Sequence, residues 1–433
     1  MPLARPSSAV EDASSNASAP LLGGAKRRPL RVALVGASGY AKAHLRLITM
    51  GSSEGLFQLV GAAVINQGDE PERCREIGKL GGELFPDFDS MIAELAGELD
   101  LCFIPTGIHH HASMTIAALK AGANVLVEKP IAATIQEVEA IRQCVAETGR
   151  FVAVGFQSVY DPATRWLKEA ILSGVIGKVQ TIRSRAMWPR SSVYYARNNW
   201  AGKLKVENAW VLDSPFNNAL AHQLNLMCFL AGHDMKASAR PLSVQSELYR
   251  TRDIESADTA CLRIRTNTDI SLYNYVSHSC VDTLNPWVEV LGDAGTASWS
   301  LDQVTIQPHG ASVQVKACLD FNRLLKCVGS QVFARVTDTE APVCSLDNAE
   351  AHTLCVNGAH ESAAIRDIPQ QYLTTHQQAG GESQIAINDL SVYMSEAFDQ
   401  GKLFSEIGVP WASSGKEICM LEYRQFPSRR LPQ

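Results

Sequence analysis

From residue 30 the chain alternates short apolar runs with longer segments of helical spacing, and that alternation restricts the fold more than any other feature. "LRVALVGASGYAKAHLRLI" opens with an apolar run, turns through glycines and continues as a helix. "FQLVGAAVI", "SMIAELAGE", "LDLCFIPT", "HHASMTIAALKAG", "NVLVEKP", "TIQEVEAIRQCVAETG" and "RFVAVGF" repeat the alternation. Short unbroken apolar runs suit strands covered on both faces, and segments of about a dozen residues suit the helices crossing between them. The expected fold is α/β, with a doubly wound parallel sheet over residues 30–157.

The pattern changes after residue 158. "PATRWLKEAILSG" reads as a helix and "GKVQTIRSRAMW" as a strand, followed by a polar and aromatic stretch. Between 243 and about 316 the runs "SVQSELYRT", "TACLRIRT", "ISLYNYVSH", "WVEVLGDAGTASWSL" and "VTIQPHG" have period two. They predict a large, mostly antiparallel sheet, with "INDLSVYMSEAFDQG" as a late helix. Residues 158–433 are therefore expected to form an α+β domain. Residues 1–29, rich in Ala, Ser and Pro, are expected to be a flexible tail. They lack the continuous apolar core of a secretory signal; Glu11 and Asp12 argue against an organellar transit peptide but leave it open.

Composition narrows the function classes. The net charge of −6 gives no basic footprint for nucleic acid. No apolar stretch approaches the ~18 residues that would span a bilayer. The eleven cysteines are scattered singly with no C-x-x-C, which suits reduced thiols and a cytoplasmic location. His109, His110 and His111 are adjacent, so on a strand or turn their side chains diverge, and no metal site is expected.

Gly36-Ala37-Ser38-Gly39-Tyr40-Ala41 joins the first strand to the first helix. Against G-x-G-x-x-G/A, the middle glycine is Ser38 and the last is Ala41. Such a turn brings backbone close to a pyrophosphate and aims a helix N-terminus at it. Glycine turns without a dinucleotide also occur in α/β proteins; the first-strand position favours the dinucleotide. The second strand ends "AVINQGDEPER", with Asn66 where an acid would bind ribose hydroxyls. Losing that carboxylate removes the repulsion against a 2′-phosphate, so NAD and NADP both stay open.

"FNNALAHQLNLMCFLAG" reads as a buried helix on which Asn218, His222 and Asn225 share one face. Such a stripe needs partners, water or a ligand. His222 alone on that face has an ordinary pKa suited to proton transfer near neutrality. A buried hydrogen-bond network is the alternative. "MWPRSSVYYARNNWAGKL" offers Trp188, Tyr194, Tyr195 and Trp200 with Arg190, Arg197, Asn198 and Asn199. Flat rings and forked donors suit a polyhydroxylated ligand, and equally a subunit interface.

In "NVLVEKPIA" an apolar strand ends on Glu128, Lys129 and Pro130. With the segment "LDLCFIPTGIHHHASMTIAALKAGANVLVEKPIAATIQEVEAI", with "VGFQSVYDPATRWLKEAILSGVIGKVQTIRS" and with Gly36, Gly39, Ala41 and His44, the chain from about residue 30 onward resembles the Gfo/Idh/MocA oxidoreductases. The resemblance implies a dinucleotide-binding Rossmann domain, a second domain whose open sheet often forms a homo-oligomer interface, and a substrate cleft between them. It implies NAD or NADP held by Gly36, Ser38, Gly39, Tyr40, Ala41, Asn66, Thr106, His111, Glu128 and Lys129. It further implies a sugar, cyclitol or related polyol met by Lys129, Trp188, Arg197, Asn218 and His222, with His222 as acid/base and Asn218 orienting the hydroxyl. Ligands of such sheets lie beyond the carboxyl ends of the strands, which is where Lys129 stands. Glu128 is expected to hold Lys129, and the Lys129–Pro130 bond is a candidate cis peptide. The family commonly has Asp four residues before the histidine; here it is Asn218, which carries no charge. Some relatives are NAD-dependent glycoside hydrolases and others non-catalytic dinucleotide-binding regulators, so both remain as alternatives.

Overall fold

The computed structural model of the protein describes residues 28–377 and 382–432. The first half follows β1 (Leu30–Val35), α1 (Ala41–Ser53), β2 (Phe57–Ala63), α2 (Pro71–Lys79), β3 (Glu83–Phe85), α3 (Phe88–Glu94), β4 (Leu101–Ile104), α4 (Ile108–Lys120), β5 (Asn124–Val127), α5 (Ile135–Thr148) and β6 (Val152–Val154). The strands form one parallel sheet in the order β3-β2-β1-β4-β5-β6. β4 and β5 are buried at every position, as strands covered on both faces must be. The order reverses between β1 and β4, which opens a crevice at their carboxyl ends. Local chemistry sets the helix ends: Thr134 and Glu137 form a capping box that starts α5, and Gly149 at φ +66° stops it.

The chain continues through α6 (Pro162–Leu172), β7 (Val179–Met187), α7 (Ser192–Ala196), β8 (Lys205–Val206), β9 (Ala209–Trp210), α8 (Ala221–Ala231), β10 (Pro241–Arg250), β11 (Thr259–Thr266), β12 (Ser271–Ser277), β13 (Leu284–Gly292), β14 (Gly295–Ser300), β15 (Gln303–Pro308) and β16 (Gln314–Ala317). It ends with α9 (Phe321–Arg335), α10 (Leu346–Ser362), β17 (Ile365–Asp367), β18 (Leu373–Gln377), β19 (Ser383–Ile387), α11 (Leu390–Gln400) and β20 (Ile418–Cys419). The second sheet has ten strands in the order β16-β15-β14-β13-β7-β12-β11-β10-β17, with β20 beside β10. It is mostly antiparallel, as the period-two runs require, but β7 lies between β12 and β13 and runs parallel to β12. α9 returns to the first sheet, where Phe333 meets Phe57 edge to face and Gly329 seats Leu47.

α8 and α10 cover the inner face of the large sheet, against Leu248, Leu262 and Val276. The alternate residues Tyr249, Cys261 and Tyr275 point to the other face, and the chain covers that face too. Phe398 of α11 lies under the Arg183 and Arg185 guanidinium groups at 4.5 and 4.6 Å, and the Tyr275 hydroxyl donates to the Ala397 and Lys402 carbonyls. Over β7, β12, β11 and β10 this face is filled by Met394, Phe398, Phe404 and Trp411 of the same chain.

Two expectations change. α8 begins at Ala221, so Asn218 lies in the turn before the helix and the supposed three-residue helical stripe does not exist. The Ser214 carbonyl accepts from the Asn217 and Asn218 amides, while the Asn217 side chain binds the Val211 and Leu212 carbonyls; these local bonds compete with helix and hold the turn. His109, His110 and His111 occupy the first turn of α4, where the His109 and His110 rings lie 4.0 Å apart instead of diverging. All eleven cysteines are free thiols. Among the described residues no helix is long and apolar enough to cross a membrane.

Candidate active site

β5 is the strand that delivers the centre. Its pairing continues past Val127, since the Glu128 amide donates to the Ile104 carbonyl and the Gly155 amide to the Val127 carbonyl. The Lys129–Pro130 bond is cis. The Glu128 carboxylate turns inward: Oε1 meets His44 Nε2 at 3.0 Å and accepts from Gln157 Nε2 at 3.1 Å, and Oε2 accepts from the Lys129 amide at 3.2 Å. Burial pushes this carboxyl up, but the His44 hydrogen bond and charge, helped by Lys129 and His222, outweigh it and hold it below its ordinary value. The expected Glu128–Lys129 couple is therefore corrected to a Glu128–His44 pair, with Lys129 contributing its backbone amide and a more distant charge.

This pair ties the strand end to the glycine turn. His44 stands on α1, and Gln157 also donates to the Tyr40 hydroxyl at 3.1 Å. Gly155 makes room for the carboxylate: a Cβ there would sit 2.4 Å from Glu128 Oε1. Gly155→Ala is expected to cost about 1–3 kcal/mol of stability through overpacking, read as a lower urea midpoint; an unchanged midpoint would show that Glu128 can yield.

Lys129 sends its ammonium the other way, across to the second half of the chain. Nζ donates to the Asn218 carbonyl oxygen at 2.8 Å and to Asn218 Oδ1 at 3.2 Å. Asn218 Nδ2 donates to Asp213 Oδ1 at 2.8 Å, and Asp213 Oδ2 accepts from the Gly202 amide at 2.6 Å. Burial lowers the Lys129 pKa, against Glu128 and Asp213, while the Arg197 charge lowers it further. Burial raises that of Asp213, against the Gly202 bond and the charges of Arg197 and Lys129.

His222, in the first turn of α8, packs edge to face with Phe156, ring centres 5.8 Å apart. Burial first, then the charge on Lys129, pushes its pKa down to about 3, with Glu128 opposing. Its imidazole is neutral near neutrality, and Nδ1 is buried without a hydrogen-bond partner. Two segments 93 positions apart thus share one electrostatic neighbourhood. Asn225 sits deeper on α8, fully buried against the Cys344 thiol.

The remaining expected residues divide. Gly36 and Gly39 take φ +89° and +56°, the left-handed region that favours glycine, and nothing lies within 4 Å of where a Gly39 Cβ would be. The Asn66 amide donates to Ser38 Oγ at 3.0 Å, closing the turn with neutral groups. Thr106 Oγ1 at the end of β4 is buried without a hydrogen-bond partner. Open backbone, a helix N-terminus at Ala41 and an unpartnered hydroxyl beyond the sheet fit a dinucleotide. His111 lies between two strand-end carbonyls, Nδ1 2.6 Å from that of Pro130 and Nε2 3.0 Å from that of Thr106, and its neutral ring has a single N–H to donate to one of them. Glu128 is likewise committed to protein partners. Arg197 lies 3.7 Å over Tyr194 and 5.1 Å from the Trp200 ring, within electrostatic reach of Lys129 and Asp213. Trp188 is held by Asn285 and Arg190, neither of them part of the Lys129–His222 group. Asp213 and Gln157 were not singled out by the sequence; a lone acid inside "AWVLDSPF" was the available signal for Asp213.

The fold and site define an NAD-binding oxidoreductase: residues 30–156 match the oxidoreductase family, NAD-binding Rossmann fold. Residues 164–298 match the GFO/IDH/MocA C-terminal domain, and the chain belongs to the Gfo/Idh/MocA family. It is 25% identical over 293 residues to an inositol 2-dehydrogenase of Azotobacter vinelandii, covering 66% of this chain and 76% of that one. It is 23% identical over 295 residues to a 4-carboxy-2-hydroxymuconate-6-semialdehyde dehydrogenase of Sphingobium sp., covering 66% and 88%. Among solved structures, the WlbA dehydrogenase from Bordetella pertussis, in complex with NADH and UDP-GlcNAcA, superposes with a TM-score of 0.64 at 21% identity, over 76% of this chain and 95% of that one.

Proposed function

We propose that the protein moves a hydride between NAD(P) and a hydroxyl-bearing carbon of a sugar, cyclitol or related polyol. The observation that carries the reading is the contact of Lys129 Nζ with Asn218, which joins the cofactor side of the cleft to the turn just before His222. The relatives named inositol 2-dehydrogenase support the cyclitol class.

Gly36, Ser38, Gly39, Tyr40 and Ala41 would hold the dinucleotide phosphates, with Asn66 at the ribose and Thr106 nearer the ring. When bound, the nicotinamide supplies the hydride acceptor or donor. Lys129 Nζ donates a hydrogen bond to the reacting oxygen and favours its alkoxide character. The neutral His222 imidazole takes the hydroxyl proton in oxidation and returns it in reduction. The Asn218 amide orients the hydroxyl. The Tyr40–Gln157–Glu128–His44 network keeps Lys129 in register with the glycine turn.

The test is nicotinamide absorbance and fluorescence against a sugar and cyclitol panel with both NAD and NADP. Reduction of either by a polyol is the expected result. Sugar release that needs NAD without net NADH would replace the reading with glycoside hydrolysis. Tight cofactor binding with no turnover across the panel would replace it with a regulator.

A further inference from the structure

We propose that Asp213 is the charge partner of Lys129, acting through the Asn218 side-chain amide as a positioning residue. It rests on the reading of Lys129 given above, and it answers how a chain with Asn at position 218 keeps a carboxylate in the relay. Asp213 is buried, 3% exposed, and its two oxygens are both committed. Oδ2 accepts from the Gly202 amide and Oδ1 from Asn218 Nδ2. An ionised carboxylate only accepts, so it can face only the NH2 end of the Asn218 amide. That leaves the Asn218 Oδ1 end for the ammonium, which donates to it at 3.2 Å. The negative charge stands one amide further from Lys129 than an Asp at 218 would put it, and the amide passes its orientation on.

The other charged and titratable groups around Lys129 do not replace it. Glu128, on the same strand end, exerts the larger charge effect on Lys129, but its oxygens are taken by His44, Gln157 and the Lys129 amide and it makes no hydrogen bond to Nζ that would position the ammonium. Arg197, from the segment after α7, opposes the ammonium's charge. His111 on α4, His222 on α8 and His352 on α10 have depressed pKa values and are neutral near neutrality. Asp213 is the carboxylate joined to Lys129 Nζ through a single side chain, and it favours the charged amine.

In Asp213→Asn the new side chain can still accept from the Gly202 amide, but it turns an NH2 toward Asn218. The Asn218 amide then reverses and presents its own NH2 to the ammonium. The consequence is read on Lys129 itself, without substrate or cofactor, by pH-dependent acylation of the full-length protein with peptide-level mass spectrometry and exposed Lys79 as internal reference. Acylation of Lys129 at pH 8 is expected to rise roughly three- to tenfold over wild type through a lower titration midpoint. Asn218→Ala, which leaves the Gly202 contact untouched, should move the midpoint the same way. The double variant Asp213→Asn/Asn218→Asp, which moves the carboxylate one step along the relay, should return it. An unmoved midpoint in both single variants overturns the proposal, as does a change confined to the high-pH plateau, which reports exposure alone. Such a failure leaves the oxidoreductase reading standing, whereas an inactive polyol panel removes that reading without touching the labelling result.

Discussion

Lys129→Met lowers kcat by about 10²–10³-fold, the usual loss when one donor to a developing oxyanion is removed. Methionine keeps an unbranched side chain of similar reach but has no ammonium. The substitution therefore strips Asn218 of its donor while sparing the shape of the cleft. Cofactor affinity stays within about threefold of wild type, because the interactions around the glycine turn run through Glu128, His44, Gln157 and Tyr40 and none uses Lys129 Nζ. Fluorescence titration of the reduced cofactor and turnover on an active polyol separate the two quantities. Turnover at the wild-type level would remove Lys129 from the reaction; loss of cofactor binding in step with turnover would move its role to the dinucleotide.

The first sheet was legible because its signal is local. β1, β2, β4, β5 and β6 are short apolar runs, and Gly36 and Gly39 mark the left-handed turn after β1; β3, with Glu83 exposed, carries no such run and was missed. α10 was not legible for the opposite reason. Its residues are buried on almost every side, so "LDNAEAHTLCVNGAHES" carries no apolar stripe against a polar one. The place of β7 between β12 and β13 was equally hidden, since period two reveals a strand but not its neighbour. In the site, Lys129, His222 and Asn218 could be named from the sequence because each interrupts an apolar context. Their partners could not: His44 and Glu128 are 84 positions apart, and nothing local says that they meet. The same limit explains α11. "INDLSVYMSEAFDQG" reads as a helix, but only the alternation of Tyr249, Cys261 and Tyr275 toward it shows which sheet face it seals.

Acid weakens this fold well above the range where carboxylates titrate. His278, His352 and His360 are each at most 3% exposed, and burial pushes their pKa values down to about 3, 4 and 4. One ring nitrogen of His278 faces the Trp188 carbonyl and one of His352 the Phe216 carbonyl, which one neutral N–H can satisfy, whereas His352 Nδ1 and His360 Nε2 have no hydrogen-bond partner. In the unfolded chain these groups take up protons near the ordinary histidine value of about 6.5, while the folded protein does not until about pH 3–4. Between those limits the unfolded state binds more protons, so stability is complete above about pH 6.5 and falls as pH drops. Each histidine contributes about 1.4 kcal/mol per pH unit, so three together approach about 4 kcal/mol per unit, against a typical total of about 5–15 kcal/mol. Glu137, Glu247 and Asp213, raised mainly by burial, work in the opposite direction, because the folded state takes up their protons first. Their offset begins nearer the ordinary carboxylate range, which leaves the histidine loss steepest just below pH 6.5. Chemical denaturation at pH 7.5, 6.5, 5.5 and 5.0 is expected to show a steep fall in unfolding free energy, with cooperative structure lost between about pH 4 and 6. His352→Gln, whose amide can still donate to the Phe216 carbonyl, should flatten the slope by about 1.4 kcal/mol per unit. A flat profile from pH 7.5 to 5 would mean that the folded protein protonates these rings in place.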